Sequence, residues 1–308
     1  MIRTVAVMGT IVTMELVERD GDVHTLDRGD PTAALDRAFA WFHRVEECCS
    51  RFDPNSELMQ LSSRIGAAVA VSEMLYEMVQ FALAVAEETG GAFDPTVGRA
   101  MEARGFNREH RTRTIVRTPL GSDVDASFRD VALDPNRQTI ALLRPLILDL
   151  GAVAKGCAID MAARELRPFE DFAINAGGDL YLGGHGPTGT PWSIGVRHPR
   201  QDGRLLATLC VSDTAVCTSG DYERSAAGEA GHHILDPRSS ASPRAVASVT
   251  VLAPTAMAAD ALATAAFVLG PREGIDLLER QGVEGLLVTP ELERHETLGM
   301  ASAYRGGR

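Results

Sequence analysis

Apolar residues spaced three and four apart alternate along this chain with stretches of strict in-out alternation, and the two periods predict mixed helix and strand. TVAVMGTIVTMELVERDGDVHTL, near the start, alternates as a strand pair with Asp20-Gly21 as its turn. A first helix starts at Asp30-Pro31, a capping residue followed by a first-turn proline, and lines up Leu35, Phe39, Phe42, Val45 and Cys49 before ending ahead of FDPNSEL. A second starts at Ser72-Glu73, turns Leu75, Met78, Val79, Ala82 and Val85 inward, and stops at Gly90-Gly91. GGAFDPTVG follows as a loop, and residues 104–135 are polar and irregular, a surface excursion or passage between lobes with little expected chemistry. LILDL (146–150) reads as a buried strand that Gly151 breaks, with VAKGCAIDMAARELR as a helix beyond it.

Glycine-punctuated strands come next, in FAINAGGDLYLGG, WSIGVRHP and LATLCVSDTAVCTSG, and imply an antiparallel sheet. HHILDPRSSASP is a turn-rich link and SVTVLAP a strand. The helix after Thr255 ends at Gly270-Pro271, and a last helix (272–281), the strand VEGLLVT and a hairpin or tail complete the chain. No internal repeat is evident. The predicted architecture is α+β: one domain over 1–308, built of two packed lobes with largely antiparallel sheets, flanking helices and a ligand cleft between them.

Within TAMAADALATAAFVLG (255–270), Asp260 and Thr264 are the strongly polar side chains beyond Thr255 at its start. Four residues apart, they share one face of an otherwise apolar cylinder. A buried carboxylate needs a partner, a proton or a metal, and a hard cation suits a carboxylate beside a hydroxyl. The alternative is local: Thr255 caps the helix, the macrodipole favours Asp260 near the first turn, and Thr264 bonds the carbonyl of residue 260.

With 308 residues, 45% of them hydrophobic, the chain is long enough for a substantial core. Its net charge of -12 and lack of a Lys/Arg run exclude a nucleic-acid footprint. The N-terminus lacks a secretory h-region and a lipobox cysteine, and no stretch is long and apolar enough to span a bilayer, so a cytoplasmic protein without membrane insertion is expected. Five cysteines without a CxxC suggest buried thiols rather than a disulfide framework or zinc site.

LDLGAVAKG puts Asp149 at a strand end and Lys155 in the first turn of a helix, where free backbone N–H groups and a cation suit phosphate. The order of its glycines and lysine is not that of a Walker A loop, and the ordinary alternative is a lysine on a solvated face with Asp149 as a cap. Gly90-Gly91, Gly177-Gly178 and Ser219-Gly220 adjoin Asp94, Asp179 and Asp221; each is ordinary turn chemistry or a place for close ligand approach. No GxGxxG follows a strand, and no GxSxG elbow is present. His232 and His233 precede the turn-rich ILDPRS, as surface histidines or as a catalytic base.

Taken in order, MGT (8–10), FDPNSEL (52–58), GGAFDPTVG (90–98), LDLGAVAKG (148–156), INAGGDLYLGG (174–184), TSGDYER (218–224), HHILDP (232–237) and the run from SVTVLAP to ADALAT resemble the FAD:protein FMN transferases of the ApbE family. The resemblance spans nearly the whole chain and implies an α+β enzyme that binds FAD in a cleft, with Mg²⁺ at its pyrophosphate. It implies a cation held by the side chains of Asp260 and Thr264, the carbonyl of Ala152 and the backbone at Ala263. It places Met8, Phe52, Ala92, Phe93, Asp94, Asp149, Lys155 and Leu235 along FAD, and His233 in catalysis.

The implied reaction moves FMN from FAD to a Ser or Thr hydroxyl of an acceptor flavoprotein, releasing AMP. Hydrolysis of FAD to FMN and AMP, or FAD storage without chemistry, are the alternatives. Two departures stand out: Phe52 where relatives often carry Tyr, which keeps a stacking surface and loses a phenol, and Ala263 where some carry a second Asp, which predicts weaker Mg²⁺ binding.

Overall fold

The computed structural model describes residues 1–18, 29–108, 114–118, 123, 125–222 and 231–304. The chain opens with β1 (Ile2–Val7) and β2 (Thr10–Leu16), followed by α1 (Pro31–Cys49), α2 (Glu57–Ser62), β3 (Ala68–Ala70), α3 (Glu73–Glu88) and α4 (Gly98–Ala103). β4 (Val131–Asp134), β5 (Thr139–Leu142) and α5 (Gly151–Leu166) form the middle. β6 (Phe172–Ala176), β7 (Asp179–Gly183), β8 (Trp192–Arg197), β9 (Leu205–Val211), β10 (Thr214–Gly220) and β11 (Ser248–Ala253) come next. α6 (Ala256–Leu269), α7 (Pro271–Arg280), β12 (Glu284–Val288) and β13 (Arg294–Glu296) end it.

Eight strands form the main sheet in the order β1-β2-β6-β7-β10-β11-β12-β13; β3-β5-β4 make a small sheet and β8-β9 a ribbon. Every pairing between these strands is antiparallel, as the alternating patterns predict, and the fold is α+β.

β11 reads as a continuous apolar run because both its faces are buried. Val249, Val251 and Ala253 join the core beneath α1, α3, α5 and α6, whereas Leu252 joins a second cluster with Leu182, Trp192 and Leu209 under the β8-β9 ribbon. The first core continues into the small sheet through Val131, Ile140 and Leu142. Phe42, Phe172 and Phe267 are fully buried within it, each a side chain whose burial contributes about 2–3 kcal/mol.

Predicted caps hold the helices. Asp30 accepts the Thr32 amide at 3.0 Å ahead of Pro31, Ser72 accepts the Leu75 amide at 3.2 Å, and Thr255 accepts the Ala258 amide at 3.2 Å. The stripe Leu35, Phe39, Phe42, Val45 and Cys49 is buried along α1. Gly270, at φ 87°, ends α6, and Pro271 begins α7 at once.

Three readings change, and FDPNSEL, to which no element was assigned, enters a helix. The first hairpin turns at Met8-Gly9, with φ of 52° and 69°, within the span read as one strand; the predicted turn at Asp20-Gly21 lies outside the described residues. Left-handed backbone at both central positions is that of a type I′ turn. Met8 accepts it with its amide bound to Glu46 Oε1 at 3.0 Å. LILDL is buried and extended but forms no regular strand: it meets a loop, through a single parallel bridge between Ile147 and Val97 and the bond of the Asp149 amide to the Pro95 carbonyl. FDPNSEL starts the short helix α2, capped by Ser56. The passage near 104–135 contains β4 and a 3₁₀ turn at Phe128–Asp130, and its Phe106 reaches the site described below. The C-terminal stretch is a hairpin, β12-β13, with a 3₁₀ segment beyond it. Among the described residues no helix is long and apolar enough to cross a membrane.

Candidate active site

Two helices meet at a seam that only a glycine permits. A Cβ on Gly156 of α5 would lie 2.5 Å from the Ala256 carbonyl oxygen and from backbone atoms of Met257, at the start of α6. One turn further along α5, the Asp160 carboxylate accepts the Ala256 and Met257 amides at 2.7 and 3.0 Å, adding a second cap to α6. Burial pushes the Asp160 carboxyl up to about 6, and these two amides offset only part of that rise. The two helices are therefore in close contact where α6 begins, and Ala152 lies in the first turn of α5. That first turn is set by Asp149, whose Oδ1 accepts the Gly151 amide at 2.8 Å.

Asp260 is 8% exposed, and Thr264, one turn on, is half-buried with its hydroxyl 3.2 Å from Ser219 Oγ of β10. Thr264 thus points to a neighbouring strand rather than serving only its own helix. Asp260 lies in the second turn, past the reach of the capping alternative. Ala263 is fully buried with its methyl in the core, so its backbone is what it can offer a ligand.

Lys155 is not on a solvated face. Half-buried, it forms an ion pair with Asp179 of β7, which is 3% exposed and accepts the Thr218 amide at 3.2 Å. Burial alone would lower the lysine, but Asp179 first and Asp260 second hold it above its ordinary value. Lys155 is a permanent cation beside the Asp260 carboxylate.

Arg51, a residue the sequence patterns did not single out, ties the other wall together. Its Nε pairs with Asp149 Oδ2 at 2.7 Å, its guanidinium lies 4.3 Å from the Phe52 ring centroid, and Nη2 donates to the Phe106 carbonyl. The Phe106 ring stands edge-on to His233, 6.5 Å between centroids. Phe52, Asp149, Phe106 and His233 are therefore linked in space although they lie far apart in sequence. His232 faces inward, with Nε2 2.8 Å from the Pro243 carbonyl and its ring edge against Phe267; the half-buried His233 is the more open of the pair.

The remaining candidates divide between lining and support. Met8 is half-buried at the tip of its hairpin, and Leu235 is buried two residues after His233. Ala92 and Phe93 are core residues. Asp94 uses its carboxylate on its own loop: Oδ1 accepts the Thr96 amide and hydroxyl at 2.8 and 2.7 Å, and Oδ2 accepts the Phe128 amide at 3.1 Å. Asp94 shapes the wall. The five thiols are free; Cys49 and Cys217 are buried, and burial pushes Cys157 up to about 12, which removes it as a nucleophile.

No group of three or more His, Cys, Asp or Glu side chains converges among the described residues. A cation at Asp260 must therefore draw on a hydroxyl, backbone carbonyls and oxygens of a ligand. This all-oxygen, carboxylate-poor donor set fits Mg²⁺ bound jointly with a phosphate. A surface hollow of about 650 Å³ lined by Arg167, Tyr181, His185 and Asp213 lies past the other end of α5, a helix about 24 Å long, and takes no part in this arrangement.

The sequence profile of the ApbE family matches residues 8–287. A Treponema pallidum FAD:protein FMN transferase is 31% identical over 89% of this chain and 82% of its own length. One from Rhodobacter capsulatus is 30% identical over 92% of this chain, which spans 54% of that longer protein. An ApbE protein crystal structure from Thermotoga maritima superposes with a TM-score of 0.84, at 29% identity and 99% coverage of both chains.

Proposed function

The chain belongs to the ApbE family, and on that premise we propose that it is an FAD:protein FMN transferase, attaching the FMN half of FAD to a Ser or Thr hydroxyl of an acceptor flavoprotein and releasing AMP. The observation that carries the reading is the buried Asp260 on α6, with Thr264 one turn beyond it, close enough to the Lys155 ammonium of α5 to help hold it charged. A carboxylate, a hydroxyl and a fixed cation at the start of a helix are the groups a diphosphate and its counter-ion require.

In this reading the FAD diphosphate lies along the first turn of α5, where backbone N–H groups and Lys155 meet its oxygens. The Mg²⁺ ion would be held by Asp260, Thr264 and the carbonyls of Ala152 and Ala263, and when bound it supplies charge neutralisation at the phosphates and the leaving group. Met8, Phe52 and Leu235 give the flavin side apolar surface, and Arg51 fixes Phe52 from behind. The acceptor hydroxyl oxygen bonds to the FMN-side phosphorus as the bond from that phosphorus to the bridging oxygen breaks. His233 takes the hydroxyl proton, and AMP departs with the bridging oxygen. The buried Asp94 and the Arg51-Asp149 pair keep the walls in place.

Co-expression with flavoproteins encoded nearby, followed by peptide mass spectrometry, tests this directly. The expected product is FMN linked to a Ser or Thr, absent with Asp260→Ala; free FMN alone in place of the adduct would establish hydrolysis instead. His233→Ala is expected to lower turnover more than FAD affinity, and equal losses would make it a binding residue.

A further inference from the structure

The Thr264 hydroxyl is answered by a residue outside the proposed ligand set. Its Oγ1 lies 3.2 Å from Ser219 Oγ of β10, and among the described residues this is the one hydrogen bond that the side chain makes. Ser219 is 8% exposed and is fixed by its register opposite Val249 of β11. Two positions back on the same strand face, the Cys217 thiol lies 3.6 Å from the Ala256 carbonyl, so this face of β10 is docked against α6 at both contacts. A threonine inside a helix has a second choice of acceptor, the carbonyl one turn back, and its side-chain rotamers differ in which acceptor they reach. For Thr264 that carbonyl belongs to Asp260, yet the hydroxyl takes Ser219.

Either hydroxyl of such a pair can be the donor until a third group joins them. A neutral hydroxyl that lends a lone pair to a cation turns its proton away from the charge, and in a buried site that proton requires an acceptor. We infer that Ser219 is a positioning residue, whose Oγ accepts the hydrogen bond of the Thr264 hydroxyl and so holds the Thr264 oxygen with its lone pairs free for a divalent cation. The inference rests on the proposed role of Thr264 as a cation ligand. With Ser219 reduced to alanine, the Asp260 carbonyl is the acceptor that helix geometry leaves, and the Thr264 hydroxyl turns back onto its own helix. Ser219 acts through Thr264 alone, so its effect on the cation exists while Thr264 is there to transmit it and vanishes without it.

Mn²⁺ titrated into the flavin-free protein, with free ion counted by its EPR signal, tests this in a double-mutant cycle. Ser219→Ala is expected to weaken binding about fivefold, the size of change expected from losing one hydroxyl hydrogen bond. In a Thr264→Ala background the same substitution should change affinity by less than about twofold, which a merely structural role for Ser219 would not do. Unchanged affinity in Ser219→Ala alone, or an equal loss in both backgrounds, overturns the inference. If Ser219→Ala fails to fold, as judged by circular dichroism, Ser219→Cys takes its place in the same cycle with the same expectations, because a thiol is close in shape and a weak acceptor. Thr264→Ala alone is the control. If it binds Mn²⁺ like the original, the reading of Thr264 as a ligand falls and this inference with it, whereas a sensitive Thr264→Ala beside an indifferent Ser219→Ala sinks only the positioning role.

Discussion

Asp160→Asn should change how stability depends on pH. In the folded protein burial pushes the Asp160 carboxyl from 3.8 to about 6, despite the Met257 and Ala256 amides, so the native state takes up this proton before the unfolded chain does. The sign follows: the contribution is complete below the unfolded value of 3.8 and is lost as pH rises through about 6. At pH 5, one unit below the folded-state value and still above the unfolded one, the gain relative to pH 7 is about 1.4 kcal/mol. Asparagine does not titrate, and its single carbonyl oxygen still receives one of the two α6 amides. Urea unfolding of both proteins at pH 7 and pH 5 isolates the effect, since histidines and surface carboxylates are common to both. The stability difference between the original and the variant should shift by about 1.4 kcal/mol in favour of the original at pH 5. Parallel pH dependences would refute the burial of this carboxyl as the start of α6, and with it the seating of Asp260 one turn on.

Gly156→Ala drives a methyl into backbone atoms of Ala256 and Met257, which cannot rotate away, and should cost about 2–3 kcal/mol in urea unfolding and weaken FAD binding; a loss under about 0.5 kcal/mol would mean the α5-α6 seam is loose. Arg51→Met keeps much of the side-chain volume but strands the Asp149 carboxylate, so thermal unfolding should report a loss of about 3 kcal/mol, and an unchanged Tm would show that the pair does not hold this wall.

Helices whose ends carry their own chemistry were legible without coordinates. Asp30-Pro31, Ser72-Glu73 and Thr255 each supply a cap, and the stripes behind them describe faces that the core then buries. Asp260 and Thr264 were legible for a related reason: polar groups on an apolar helix require a partner, and the fold brings Lys155 and Ser219 to them. The turn at Met8-Gly9 was not legible, because the left-handed backbone at Met8 is accompanied by a bond from its amide to Glu46, distant in sequence. LILDL looked like a strand because its burial is that of one, and burial alone does not supply a hydrogen-bonding neighbour. Arg51 left no local signal, since its partners Asp149 and Phe106 meet it only through tertiary packing. Asp94 is placed along FAD by resemblance alone, and its tie to Phe128, 34 residues on, is a tertiary contact that no local pattern announces.

The most direct test is an anomalous difference map from crystals grown with FAD and Mn²⁺. A peak bonded to Asp260 Oδ and Thr264 Oγ1 and shared with the FAD diphosphate, beside the Lys155 ammonium, is the predicted result. Flavin bound with its diphosphate away from α6, and no peak at Asp260, would contradict the account.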